Sequence, residues 1–364
     1  MAKTALQRFE FTRRVIRICS RFVGADVLNE NYRPNILTVL AYVCLCVYFY
    51  CTGYTVYKNI YIDGRWTDML KTLCMISSGL QGYSKITNAI LNKVPIRYLV
   101  NDLHSIYKEY SDKHFEYRKC LSKSMNTTDK SIRILGIIYV IATSSLIIMV
   151  FVYRFAFHQR IYVLQFEMPH VDVNTEHGYL ITNWVHFTCI SLGAFGNYAA
   201  DLALLTCISN APLYKDILKC KFHDLNEVLK RADAEQMKRC HMHLKDIFQF
   251  HQRYIKFVDT VRENYFWVIA VEMFTVAFSI ALTLFCLILG TWPNNDNIIE
   301  SCYTEVIWYQ LTPRDRKMLQ TMLMMTQNSE GLTIGSVIPL TMDTGLQWTK
   351  TIYSMTIMLI NFLD

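Results

Sequence analysis

Charge is scarce in this sequence. Only 18% of its 364 residues are Asp, Glu, Lys or Arg, against about 25% in soluble domains, which excludes an ordinary water-soluble globule. The signatures GxSxG, HExxH and GxGxxG and the phosphate-cradling P-loop are missing, so no enzyme class is indicated. No CxxC pair occurs among the twelve cysteines. His158, His170 and His177 lie near Glu167, Asp172 and Glu176, but at spacings that fit no metal pattern; neither a metal nor a cofactor is implied. A cleavable leader is not expected either, because the first apolar run starts some 35 residues in, behind a basic segment with no small-residue cleavage pattern.

What is present is oil, in long runs. Apolar residues make up 52% of the chain. About 20 in succession cross a bilayer, and such runs occur at 36–57, 132–153, 180–208, 264–291 and 340–363. A weaker one at 69–91 is interrupted by Lys71, Gln81 and Lys85. The fold class is therefore all-α, a polytopic membrane helical bundle.

Its orientation follows from the cations. Segments 1–35, 92–131 and 209–263 hold seven, eight and eleven Lys/Arg, whereas 58–68 and 154–179 hold two each. Lys and Arg concentrate on the cytoplasmic side, so the N-terminus is expected inside and the two poor segments outside, opposite to the heptahelical G-protein-coupled receptors. The net charge of +7, segregated in this way, points to membrane lipid as a partner and away from nucleic acid. No cysteine falls in the two external segments, so an extracellular disulfide framework is not indicated, and small apolar packing is the role read for the thiols.

Segment 1–35 alternates Leu6, Phe9, Val15, Ile16 and Ile18 with Arg8, Arg13, Arg14, Arg17 and Arg21. Two readings stand: a helix lying on the anionic inner leaflet, or a solvated helix docked on the bundle. Gly196 and Ala200 form a small-xxx-small step suited to close helix contact. Asp201 is an acid at the inner end of an apolar run, and such acids usually face partners. The stretch 209–263 keeps helical periodicity through Leu218, Phe222, Leu225, Leu229, Leu244 and Ile247.

The last 64 residues carry the most specific pattern. Thr312 and Pro313 suit a helix start. Gly331, Gly335 and Pro339 then break the periodicity before the final apolar run. The ordered set Tyr303, Trp308-Tyr309-Gln310-Leu311, Arg314/Arg316/Lys317, Leu332-Thr333-Ile334-Gly335, Pro339-Leu340, Lys350 and Tyr353-Ser354 resembles the closing signature of the insect odorant receptor family. A second match lies at Leu244, Ile247, His251, Ile255 and Phe257-Val258.

The resemblance implies an odorant-gated, non-selective cation channel subunit in the plasma membrane of olfactory sensory neurons. It implies a heterotetramer with an odorant co-receptor and a small volatile ligand. On that basis the chain divides into a cytoplasmic N-terminal segment (1–35), transmembrane helices 1–4 with the odorant pocket (36–208), cytoplasmic anchor helices (209–263) and transmembrane helix 5 (264–291). A shortened linker with an anchor helix (292–330) and a pore-lining last helix (331–364) complete it.

Pocket candidates are Leu73, Ile76, Ser77, Leu80, Ile148, Phe151, Tyr153, Tyr179, Trp184 and Phe187; plain helix packing is the alternative for each. Met358, Asn361 and Phe362 match positions that form an apolar pore constriction in the family, with lipid-facing packing as the alternative. Asp201, His251, Trp308 and Tyr309 match the anchor and subunit interface.

One feature departs from the family. Six spans are present where the family has seven, and the body of the sixth is lacking. Residues 292–297 extend to only about 20 Å and cannot recross a ~30 Å core. A gustatory receptor and a non-functional shortened isoform or gene model are the alternatives carried forward.

Overall fold

The computed structural model of the chain describes residues 4–291, except 63, 65, 159, 170, 172–174 and 231–233, together with a handful of positions between 317 and 354. Seven helices make up nearly all of the described part: α1 (Ala5–Phe22), α2 (Ile36–Tyr61), α3 (Trp66–Leu91), α4 (Lys93–Ser111), α5 (Phe115–Phe155), α6 (Glu176–Leu229) and α7 (Ala234–Thr291). Stretches within α2, α5, α6 and α7 are long and apolar enough to cross a membrane. α3, with its interrupting lysines, is the weaker run. A two-residue antiparallel pair, Thr333–Ile334 with Ile338–Pro339, falls where Gly331, Gly335 and Pro339 interrupt the helical pattern.

The long helices do not stop at the expected membrane boundary. α6 has 54 residues, roughly 80 Å at 1.5 Å per residue, so it extends far beyond a ~30 Å hydrocarbon core. Thr175 caps its start by accepting from the Gly178 N–H at 3.1 Å, and Glu176 suits the positive end of the helix dipole. Pro212 sits inside it, removing one backbone donor near the point where the apolar run ends.

The chain divides into two compact units. One comprises Met1–Tyr50, Gly79–Leu164 and His170–Val271; the other comprises Cys51–Ser78, Gln165–Pro169 and Glu272–Asp364.

The core of the first unit lies at its basic, inner end. α4 buries Ile96, Leu99, Val100, Leu103, Ile106, Tyr107 and Tyr110 along one stripe at spacings of three and four. Around it gather Phe9 of α1, Tyr117, Leu121 and Met125 of α5, Tyr214 and Ile217 of α6, and Phe250 and Phe257 of α7. Phe9 stacks on Tyr107 with ring centroids 4.7 Å apart, and Tyr214 lies 4.7 Å from Phe257. Buried tyrosines need partners for their hydroxyls; the Tyr110 hydroxyl has none among the described residues, but three others find them here. Tyr107 donates to Asn210 Oδ1 at 2.7 Å, Tyr117 to Asp224 at 2.6 Å and Tyr214 to Asp102 at 2.5 Å. Arg253 Nε reaches the other Asp102 oxygen at 2.8 Å. Burial, with the Asp102 carboxylate adding to it, holds the Tyr214 phenol far above its ordinary pKa.

α1 starts with a capping box. Thr4 Oγ1 accepts from Gln7 N–H at 3.3 Å, while Gln7 Oε1 accepts from Thr4 N–H at 3.1 Å. The helix buries Phe9, Thr12, Ile16, Cys19 and Ser20, so the docked reading of segment 1–35 describes this face. It ends at Gly24, whose φ of +71° lies in the left-handed region. A Cβ there would lie 2.3 Å from the Thr38 backbone nitrogen. The Gly24 carbonyl accepts from Tyr32 OH at 2.9 Å and from Thr38 Oγ1 at 2.6 Å, which fixes the turn between α1 and α2. Gly196 of the small-xxx-small step faces this turn: its nearest side-chain neighbour is Val23, 3.3 Å from where a Cβ would stand.

Candidate ligand site at the outer end

Outer here means the end away from the basic segments. In the first unit, α6 begins there and presents Tyr179, Thr182, Asn183 and His186 inward, all buried. Their spacing of three, four and seven puts them on one helix face. Loop residues 161–164 fold back across that face. Tyr179 OH donates to the Ile161 carbonyl at 3.3 Å, and the Leu164 N–H donates to His186 Nδ1 at 3.4 Å. The Tyr162 ring meets Tyr179 at 5.7 Å and stands edge-on to His186 at 6.0 Å. Asn183 Nδ2 donates to the Tyr179 carbonyl at 3.0 Å, whereas its buried Oδ1 has no hydrogen-bond partner.

Above this face, Arg154 and Arg160 both donate to Glu176 Oε1, at 2.8 and 3.2 Å, and both guanidinium groups lie near the Tyr179 ring. The result is a small set of polar groups among aromatic and aliphatic ones, the chemistry expected where a small, mostly apolar molecule is oriented by a few hydrogen bonds.

The second unit has its own outer set. Thr55 Oγ1 of α2 accepts from the Glu167 N–H at 2.8 Å, Lys58 pairs with Glu167 at 2.6 Å, and Thr72 Oγ1 of α3 donates to the Gln165 carbonyl at 3.1 Å. Ser77 is buried, and its hydroxyl has no hydrogen-bond partner. Leu73 and Ile76 on the same helix are half-buried.

The remaining pocket candidates fall differently. Tyr179 is buried and Phe187 half-buried, but Ile148, Phe151 and Trp184 are 57%, 51% and 73% exposed; Leu80 and Tyr153 are exposed at lower levels. Met358, Asn361, Phe362, Trp308 and Tyr309, and the missing sixth span after Thr291, lie outside the described residues. His251 stands exposed on α7.

Asp201 is the inward-facing acid of α6. Lys85 Nζ of α3 meets it at 2.6 Å and Tyr139 OH of α5 donates to it at 2.5 Å. The pairing joins three helices within their apolar stretches, with Lys85 itself fully covered. Intramembrane charges pair because an isolated one is costly in lipid.

Sequence reasoning missed Thr182, Asn183, His186 and Lys85. A polar stripe at 179, 182/183 and 186 was available in the spacing. So was a lysine and an aspartate of opposite sign in two apolar runs. A shallow depression of about 670 Å³ on inner α5, lined by Phe115, Arg118, Lys119 and Lys123 among others, is too open and too charged to hold an apolar ligand.

A model of the 7tm odorant receptor family matches residues 65–311. The chain belongs to the odorant receptor family. Odorant receptor 83c of Drosophila melanogaster is 22% identical over 405 aligned positions, covering 97% of each protein. That aligned length exceeds the 364 residues of this receptor, so the relative carries residues with no counterpart here. Two structures of the insect olfactory receptor OR5 from Machilis hrabei share the fold. One is 13% identical with a TM-score of 0.55 and 96% coverage of both chains. The other, of the complex with eugenol, is 12% identical with a TM-score of 0.55 and 97% coverage of both. This receptor is thus a multi-pass membrane helical protein.

Proposed function

We propose that this receptor is the ligand-binding subunit of an odorant-gated, non-selective cation channel, assembled with an odorant co-receptor in the plasma membrane of olfactory sensory neurons. The observation that carries the reading is the family match across residues 65–311, on a helical bundle whose outer α6 face is buried and carries a short uncharged polar stripe edged by aromatic rings. Such a face suits a small volatile molecule better than a charged metabolite. Ser77, Leu73, Ile76, Leu80, Ile148, Phe151, Tyr153, Tyr179, Trp184 and Phe187 remain the ligand-contact candidates, and Asn183 and His186 join them. Met358, Asn361 and Phe362 are proposed to line the pore, and Asp201, His251, Trp308 and Tyr309 to serve the anchor.

The test is co-expression with and without a co-receptor in cells that lack both, with recording of odorant-evoked current. Current that needs both chains and an odorant supports the reading. Surface-delivered receptor with no current across a broad odorant panel counts against it. The shortened-isoform reading is favoured by the longer aligned relative, and it predicts such silence. Genomic sequence at the codons for Gly290–Asn297 separates the two: an intron with an upstream apolar reading frame would restore the missing sixth span.

A further inference from the structure

The docked face of α1 leaves its opposite face to be explained. Phe11, Ile18 and Phe22 are 57%, 48% and 56% exposed. Positions 11, 18 and 22 are seven and four residues apart, so the three side chains form one narrow stripe along the helix. The arginines sort around it. Arg8 bonds Asp129 and Asn126, Arg13 bonds Asn101, and Arg17 leans on Asp26. Arg14 is exposed, and Arg21, though it touches Asp26 at 2.9 Å, keeps 62% of its side chain exposed. Both lie along one flank of the stripe; Glu10, 3.6 Å from His104, is the acidic residue on that flank. A soluble helix would not leave two phenylalanines and an isoleucine in a row facing water.

Depth comes from the neighbours. Ile16 packs with Leu202 and Ala203 of α6, and Val23 packs with Ala41 of α2 and Ile86 of α3. Phe22 stacks on Phe195, with centroids 5.0 Å apart, and Phe195 is itself 43% exposed on α6. The apolar run of α6 ends near residue 208. At 1.5 Å per residue, positions 202 and 195 lie about 9 and 20 Å inside that end. The last turns of α1 therefore run beside a membrane-spanning segment, and their outer stripe continues its lipid-facing surface.

We infer that α1 is a lipid-binding helix that enters the inner leaflet alongside α6, with Phe11, Ile18 and Phe22 against the acyl chains and Arg14, nearer its inner end, on the phosphates of anionic phospholipid. The combination of an apolar stripe with a cationic flank is what seats a helix at a charged membrane surface. The inference is independent of the odorant reading, since it requires only that the bundle sits in a bilayer.

The full receptor in vesicles of phosphatidylcholine, with or without phosphatidylserine, is photolabelled with lipids carrying a diazirine in the acyl chain. Labelled residues are then read by peptide mass spectrometry. Label is expected on Phe11, Ile18 and Phe22 as well as on Phe195, with phosphatidylserine label enriched on α1. Arg14→Gln should reduce that enrichment roughly fivefold, and Arg14→Lys should retain it. High salt should weaken it in the unaltered chain, which serves as the readout if the Gln variant fails to fold. Three results overturn the inference: label on Phe195 but none on α1, an enrichment indifferent to both salt and the Gln variant, or cross-links from the stripe to a second protein chain in place of lipid.

Discussion

The two halves of α5 obey different rules on one continuous helix. Its inner half buries Tyr117, Leu121, Met125 and Thr128, a stripe at spacings of three and four. Its outer half buries Val150 and leaves Ile137, Ile138, Val140, Ile141 and Phe151 exposed nearly all round. In water the second pattern would be an error, since an amphipathic helix hides its apolar stripe. In lipid it costs nothing, because acyl chains are as apolar as the side chains. The same chain therefore uses burial to hold its inner end, and hydrogen bonds and ion pairs at a few points to hold its membrane part.

That contrast can be broken by substitution, and the inner end should be the more sensitive. Arg253→Met leaves Asp102, buried beside Tyr214, without its cation. A loss of about 3–5 kcal/mol is expected, read as a collapse in thermal stability of the detergent-purified receptor. Lys85→Met should cost about 3 kcal/mol by stranding Asp201 in the apolar part. The double variant Lys85→Met/Asp201→Leu should recover most of that, and a double variant no better than the single one would show that the pair is not what matters. Gly24→Ala should lose about 2–3 kcal/mol through its left-handed backbone and the close Thr38 nitrogen, seen as poor surface delivery.

The outer end should give smaller structural effects and larger functional ones. His186→Phe removes the acceptor for the Leu164 N–H, at about 1 kcal/mol of stability, yet should shift odorant sensitivity in the current assay. A silent His186→Phe with unchanged dose–response would take that face out of the ligand site. Least of all, Glu176→Gln weakens an exposed ion pair with Arg154 and Arg160 and should move the melting temperature by under ~1 kcal/mol equivalent.

Much of this architecture was legible before any coordinates. The apolar runs located the long helices, since a helix carries its own hydrogen bonds and needs only length and oil to cross a bilayer. Less legible was which polar groups meet. Lys85 is visible as an interruption and Asp201 as an acid at the inner end of an apolar run, but their meeting depends on the relative rotation of α3, α5 and α6, which no single run encodes. Gly196 was recognisable as a close-approach residue, although its neighbour is the turn after α1 and not another span. Loop 161–169 folds back through isolated bonds such as Leu164 to His186 and Glu167 to Thr55, and a stretch without periodicity offers little from which to read such bonds. Trp184 and Phe151 suit an apolar ligand by residue type, and their exposure on the helix surface is something residue type does not encode.

α6 carries its cap at Thr175, its paired acid at Asp201 and its knot with Asp102 through Tyr214 on one unbroken rod. No loop lies between these points to absorb a displacement. A tilt imposed where the rod begins is carried toward its far end as leverage, with Pro212, which lacks a backbone donor, as a place along it where the shaft can bend.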